Sequence, residues 1–398
     1  MGVMTLRNGL EFLAMPGPTN VPDQVLNAMH RPAIDIYAGE LLQTTEDCHN
    51  GLREVFCTQH HVFIYAANGH GAWEAAISNT LSRGDKVLVL ESGRFALGWG
   101  GMGSVMGLEV EVLPGDFRRA VNPDVVAERL RADAAHEIKA ILVVQIDTAS
   151  GVVNDIPRIR AAMDASGHPA LLMVDTIASL ATMPFEMDAW RVDVAVCGSQ
   201  KGLMTPPGLS FVAAGERAMA AHPGANLRTR YWDWTERQGE EHYQKYCGTP
   251  PEHMLLGLDA ALKLLRQEGM ENVYRRHRLL AGAVREAVAT WSEGGAFEFN
   301  VTEADERADS VTTVKMNEGY DSRALNQFCR ETCGVTLGLG IGGLGGFRIA
   351  HMGHVNAAMM LGTLGSVELG MRTLGMPLTE SGVARATALL AKQLRASA

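Results

Sequence analysis

Between about residue 60 and residue 215, short apolar runs alternate with amphipathic stretches, and this alternation restricts the fold more than any other feature of the chain. The spacing predicts strands over 61–66, 86–90, 109–113, 140–145, 170–174, 192–197 and 209–213. Helices are predicted between most of them, over 72–81, 95–106, 123–132 and 156–165. Such alternation calls for a parallel sheet with helices on both faces, because a parallel neighbour is reached only through a crossover. The run Ala170-Leu-Leu-Met-Val174 has no polar face and reads as a strand covered on both sides. The expected class is α/β, with a mostly parallel seven-stranded sheet.

After about residue 250 the texture changes. Pro250 and Pro251 open a helical stretch to Arg266, Gly269 interrupts it, and a second helix is predicted over 271–291. A strand over 310–316, a helix over 322–330, a glycine-rich loop, a strand over 347–350 and two further helices complete the chain. The expected division is an N-terminal arm over 1–19, a large domain over 20–270 and a smaller α+β domain over 271–398.

Charge limits the partners. With 35 basic and 45 acidic residues the formal charge is −10, and no basic run stands out. Nucleic acid and anionic membranes are poor candidates, so an anionic ligand must be held by a local site. The N-terminus lacks a basic start followed by an apolar core, and no apolar run reaches the roughly 18 residues of a membrane span. None of the six cysteines forms a CxxC pair. Dispersed thiols of this kind suit a cytoplasmic enzyme.

The chemistry concentrates in two segments, Val174-Asp175-Thr176 and Gly198-Ser199-Gln200-Lys201. Asp175 ends an apolar strand, where a lone carboxylate is costly unless something pairs with it. Lys201 follows the next predicted strand. In a parallel sheet both groups reach the carboxyl edge, where ligands bind. A structural ion pair is one reading. The other is a lysine that condenses with the aldehyde of pyridoxal phosphate (PLP), with a carboxylate facing the pyridine nitrogen. PLP also needs a phosphate cup, and Ala67-Asn68-Gly69-His70-Gly71 lies between a predicted strand and helix, where backbone N–H groups can face an anion.

These segments, together with Pro16-Gly17-Pro18-Thr19-Asn20, Asp147-Thr148-Ala149-Ser150-Gly151, Pro206-Pro207-Gly208, Thr249-Pro250 and Phe347-Arg348-Ile349, resemble the class V, fold type I PLP enzymes over nearly the whole length. The resemblance points to the serine–glyoxylate and alanine–glyoxylate aminotransferases. It implies that Lys201 bonds PLP and shuttles the proton, and that Asp175 pairs with the pyridine nitrogen. It implies that Thr148 lies on the phenolic-oxygen side, that Phe95 stacks on the ring, and that Asn68, Gly69, His70 and Gln200 hold the phosphate. Tyr246 and Thr249 match residues that reach the phosphate from a neighbouring subunit, which implies a homodimer with shared sites, or a dimer of dimers. Arg348 would grip the substrate carboxylate through its planar fork. Asn20 and Tyr37 are the remaining substrate-site candidates.

The expected reaction is ping-pong transfer of an amino group from serine, alanine or aspartate to glyoxylate or another small 2-oxo acid. A PLP lyase or cysteine desulfurase on the same scaffold is the alternative. Cys333 is the thiol that such an enzyme would use, but it directly precedes Gly334, a predicted helix C-cap. The glycine patterns at 98–103 and 338–343 fit a dinucleotide loop in spelling only. The first falls within a predicted helix and the second leads into a strand. The His60-His61 and His351-x-x-His354 pairs lack a third ligand at sensible spacing, so no metal is expected. Arg228, Arg230, Tyr231, Trp232 and Trp234 read as a dimer contact or a wall of the site.

Overall fold

The computed structural model describes residues 6–396; the first five residues of the expected arm and the last two of the chain lie outside them. Seven strands form the large sheet, in the order His61–Tyr65, Ser210–Ala214, Val194–Gly198, Leu171–Asp175, Ile138–Val144, Lys86–Leu90 and Glu109–Leu113. Only Ser210–Ala214 runs against its neighbours. The sheet is therefore mostly parallel, as the alternation requires.

Every side chain of Leu171–Asp175 is buried. Leu172 and Val174 join one apolar cluster and Leu171 and Met173 another, on the opposite face. Each buried side chain of this size contributes about 1.5–3 kcal/mol. This two-sided cover explains why the strand sequence shows no alternation.

The second sheet orders Phe12–Ala14, Val335–Leu339, Gly346–Ala350, Val311–Met316 and Phe297–Phe299. Its core includes Trp291, Phe297 and Phe347 and is covered by the helices Met270–Ser292, Ser322–Cys333, Ala357–Thr373 and Gly382–Arg395. Residues 12–14 are paired with Val335–Leu337, so part of the predicted arm is an edge strand of the small sheet. The helices Asp23–Met29 and Glu40–Phe56 and the strand Phe297–Phe299 are also additions to the sequence reading. Gly269, at φ +81°, separates the helix Glu252–Glu268, which packs on the large core, from Met270–Ser292.

The two units interlock beside the carboxyl edge of the large sheet. Asn300 donates from Nδ2 to the Ser150 carbonyl at 2.8 Å, and the Ala308 N–H donates to the Gly151 carbonyl at 3.2 Å. Gly151 sits at φ +80°, and a Cβ there would meet Thr313 Oγ1 at 2.9 Å.

Candidate active site

Five parallel strands deliver the site. Asn68, Gly69 and His70 follow His61–Tyr65, Phe95 follows Lys86–Leu90, and Thr148 follows Ile138–Val144. Asp175 ends its strand, and Gln200 and Lys201 follow Val194–Gly198. All eight of these predicted residues line one cavity of about 300 Å³, with Gly17, Pro18, Trp73 and Ile177 among its other walls.

Lys201 and Asp175 are both buried. Burial, with Arg348 adding like charge, lowers the Lys201 amine to about 8, so a much larger fraction is neutral near pH 7 than for an ordinary lysine. Burial raises the Asp175 carboxyl to about 7, opposed by hydrogen bonds from the Ile177 N–H and the Trp73 indole. The Lys201 Nζ donates to the Pro16 carbonyl. Thr19 fastens the same strap from the other end, its Oγ1 donating to the Lys201 carbonyl at 3.0 Å. Gly17 between them sits at φ +105°, and a Cβ there would lie 2.6 Å from Lys201 Cε. The space the lysine occupies depends on that glycine.

At the other end of the cavity, Asn68 caps the helix Gly69–Thr80, its Oδ1 accepting from the His70 N–H. Of the other first-turn N–H groups, that of Gly71 donates to the Asn68 carbonyl at 2.9 Å, while that of Gly69 has no intrahelical partner. Gly69 is packed so closely on Ile177 that a Cβ would meet Cδ1 at 2.4 Å. The Gln200 side-chain oxygen is buried without a hydrogen-bond partner. A capped helix start with no room for a side chain, an amine whose proton affinity burial has lowered and a carboxyl held by donors match what PLP needs: a phosphate cup, an amine for the aldehyde and an acid for the ring nitrogen.

Two contributors escape the sequence reading. Asp147 is buried, and its Oδ2 accepts from the N–H groups of Phe95 (2.7 Å) and Ala96 (3.1 Å). It thereby caps the helix Arg94–Met106, whose own N-cap is Gly93, and fixes where Phe95 enters the cavity. Gly93 must be bare, since a Cβ would lie 2.2 Å from the Asp147 carboxyl carbon. Trp73 donates its indole N–H to Asp175 Oδ2 at 2.8 Å. Asp147 stands in a quoted motif, so its position gave a signal. Trp73 gave none, because a tryptophan on an amphipathic helix reads as core.

Other predicted residues lie apart from the cavity of this chain. Arg348 is buried one contact away, with Nη1 donating to the Thr148 carbonyl and Nε to the Leu339 carbonyl, both at 2.8 Å. Burial lowers its guanidinium to about 10. Asn20 exchanges two hydrogen bonds with the Leu13 backbone, which ties the strand Phe12–Ala14 to the strap. Tyr37 is 69% exposed. Tyr246 is buried with its hydroxyl 3.0 Å from Thr45 Oγ1, and Thr249 is exposed. In the aromatic–basic cluster, Trp234 is a core residue stacked on Phe63 at 5.2 Å. Trp232 backs Gly71 at the cup.

The family model for class V aminotransferases matches residues 11–343. The chain is 38% identical to the serine–glyoxylate aminotransferase of Methylorubrum extorquens, over 97% of each chain. It is 38% identical to the L-aspartate–glyoxylate aminotransferase of Paracoccus denitrificans, over 94% of each. Among solved structures it is similar to the pyridoxamine–pyruvate aminotransferase of Mesorhizobium loti, with a TM-score of 0.88 and 27% identity over 99% of this chain and 100% of that one.

Proposed function

The chain belongs to the class V aminotransferases, and from that premise we propose that it uses PLP to move an amino group from serine, alanine or aspartate to glyoxylate, releasing glycine. The observation that carries this reading is the shared cavity of Lys201 and Asp175 at the carboxyl edge of the parallel sheet. The glyoxylate acceptor is supported by the names of the two relatives that are 38% identical.

When bound, PLP supplies an aldehyde that captures the amino group and a ring that accepts the electron pair left at the substrate Cα. Lys201 Nζ would be the base that takes the substrate Cα proton and afterwards gives a proton back, a task suited to an amine lowered to about 8. Asp175 keeps the ring nitrogen protonated by accepting from it. Asn68, Gly69, His70 and Gln200 hold the phosphate, Thr148 the phenolic side and Phe95 one ring face. Arg348 takes the substrate carboxylate, already aimed by two carbonyls. In the second half the 2-oxo acid enters the same groups and the steps reverse.

The assembly in this proposal is a homodimer, or a dimer of such dimers. Thr249 and Tyr37 are exposed away from their own cavity, as residues serving a neighbour's site would be. Tyr246 belongs to the same expectation and needs a shift away from Thr45 to reach it. A cytoplasmic setting is supported by six unpaired cysteines. Lyase or desulfurase chemistry is disfavoured at the thiols near Arg348. Burial pushes Cys329 up to about 12, and Cys333 closes a helix into the left-handed Gly334 rather than a mobile loop. The test is a panel of amino donors against glyoxylate and pyruvate, with products identified by mass. Glycine formed with the matching 2-oxo acid is expected; release of sulfide or ammonia without a 2-oxo acid acceptor would contradict the reading.

A further inference from the structure

We propose that Trp73 is a positioning residue for the reaction: its indole N–H holds one oxygen of the Asp175 carboxylate, so that the carboxylate meets the cofactor ring nitrogen from a fixed direction. The inference rests on the PLP reading above.

The Asp175 carboxyl has two local donors, one for each oxygen. The Ile177 N–H serves Oδ1 at 2.7 Å and the Trp73 indole serves Oδ2 at 2.8 Å. The backbone donor comes from the same turn as Asp175 and follows it wherever it goes. The indole comes from a different element and sets the rotation of the carboxyl plane relative to the rest of the site. That element is the helix Gly69–Thr80, whose first residues form the cup. Gly69 and Trp73 stand four residues apart and share a helix face. One rigid body therefore places the phosphate cup and the acid for the ring nitrogen at a fixed separation.

The indole is itself immobilised. Trp73 is 1% exposed and stacks on Trp99 with centroids 6.0 Å apart and planes 13° apart. His70 and Phe95 meet it edge-on at 4.6 and 6.4 Å. A phenylalanine would keep much of this packing but offers no donor. The carboxyl also needs the donor electrostatically, because burial and the nearby Asp147 both oppose its charge. Without the indole, the proton stays on the carboxyl over a wider pH range, and a neutral acid is a weaker acceptor for the ring N–H than the carboxylate.

The test compares binding of PLP with binding of an analogue carrying carbon in place of the ring nitrogen. The wild-type enzyme is expected to prefer PLP by about 10-fold or more. Trp73→Phe is expected to narrow that preference by roughly 10-fold while moving analogue binding much less, because the analogue makes no bond to Asp175. In an Asp175→Asn background, Trp73→Phe should leave the ratio unchanged, as two residues acting through one contact require. An unaltered preference in folded Trp73→Phe overturns the proposal. Should that variant fail to fold, tryptophan indole 15N resonances of the PLP-loaded enzyme provide a second arm. One indole signal is expected to shift in Asp175→Asn and when the analogue replaces PLP; no such signal overturns the inference. A wild-type enzyme that binds neither compound would instead refute the PLP reading.

Discussion

A carboxyl group deep in a protein is stable as an anion only if donors replace the water it has lost, and Asp175 has two for a fully buried group. Its carboxyl stands at about 7 in the fold against an ordinary 3.8. The folded apoprotein thus binds a proton more tightly than the unfolded chain between those values. Stability from this group is fully present below about pH 4 and is lost as pH rises through about 7. Apoprotein carrying Asp175→Asn should therefore be more stable than wild type at pH 8, by up to roughly 4 kcal/mol, with the gap closing below pH 4; denaturant midpoints across pH check this. A second expectation concerns Gly17. Gly17→Ala places a Cβ against Lys201 at a positive φ. It should cost about 1–3 kcal/mol in unfolding free energy and weaken cofactor binding. Lys201 and Asp175 were legible in the sequence because ionisable groups at the ends of apolar strands are costly and need a reason. The separation of Trp73 from Asp175 by five strands and three helices hid their bond, since a donor carries no mark of its acceptor until the chain is folded.

At the scale of elements, the helix Arg94–Met106 shows how a neighbour can supply what a local sequence lacks. Its start, Ser92-Gly93-Arg94, provides no capping side chain hydrogen bond, and Asp147 from another loop takes that role. Asp147→Asn removes the charge that faces the helix start, and one of the oxygens that accept. A loss of about 1–2 kcal/mol in stability is expected, together with weaker PLP binding because Phe95 loses its anchor; equilibrium unfolding and cofactor titration measure the two effects. The parallel strands were legible because a strand buried on both faces must be a continuous apolar run. The strand Phe12–Ala14 was not: three residues carry no period, and its partner Val335–Leu339 lies more than 300 residues away. The helices before residue 60 share that difficulty in milder form, as Glu40–Phe56 begins at Gly39 with no capping side chain.

For the molecule as a whole, the cavity is walled by loops of the large sheet and closed by the N-terminal strap, while Arg348 reaches toward it from the small sheet. With Thr249 and Tyr37 directed outward, a functional site shared between two chains is expected. Sedimentation should give about two or four times the 42.9 kDa chain mass and not a monomer, and Thr249→Ala should weaken PLP binding without loosening the monomer fold. The order of motifs was legible over the full length. The seating of Asn20 and Tyr246 was not, because their side chains are taken by Leu13 and Thr45, contacts that no motif encodes. The most direct measurement is to reduce the PLP-loaded protein with borohydride, digest it and locate the modified peptide by mass spectrometry. The account requires the cofactor on Lys201, with no label there or elsewhere in Lys201→Ala; a label on another lysine, or none in the wild type, would contradict it.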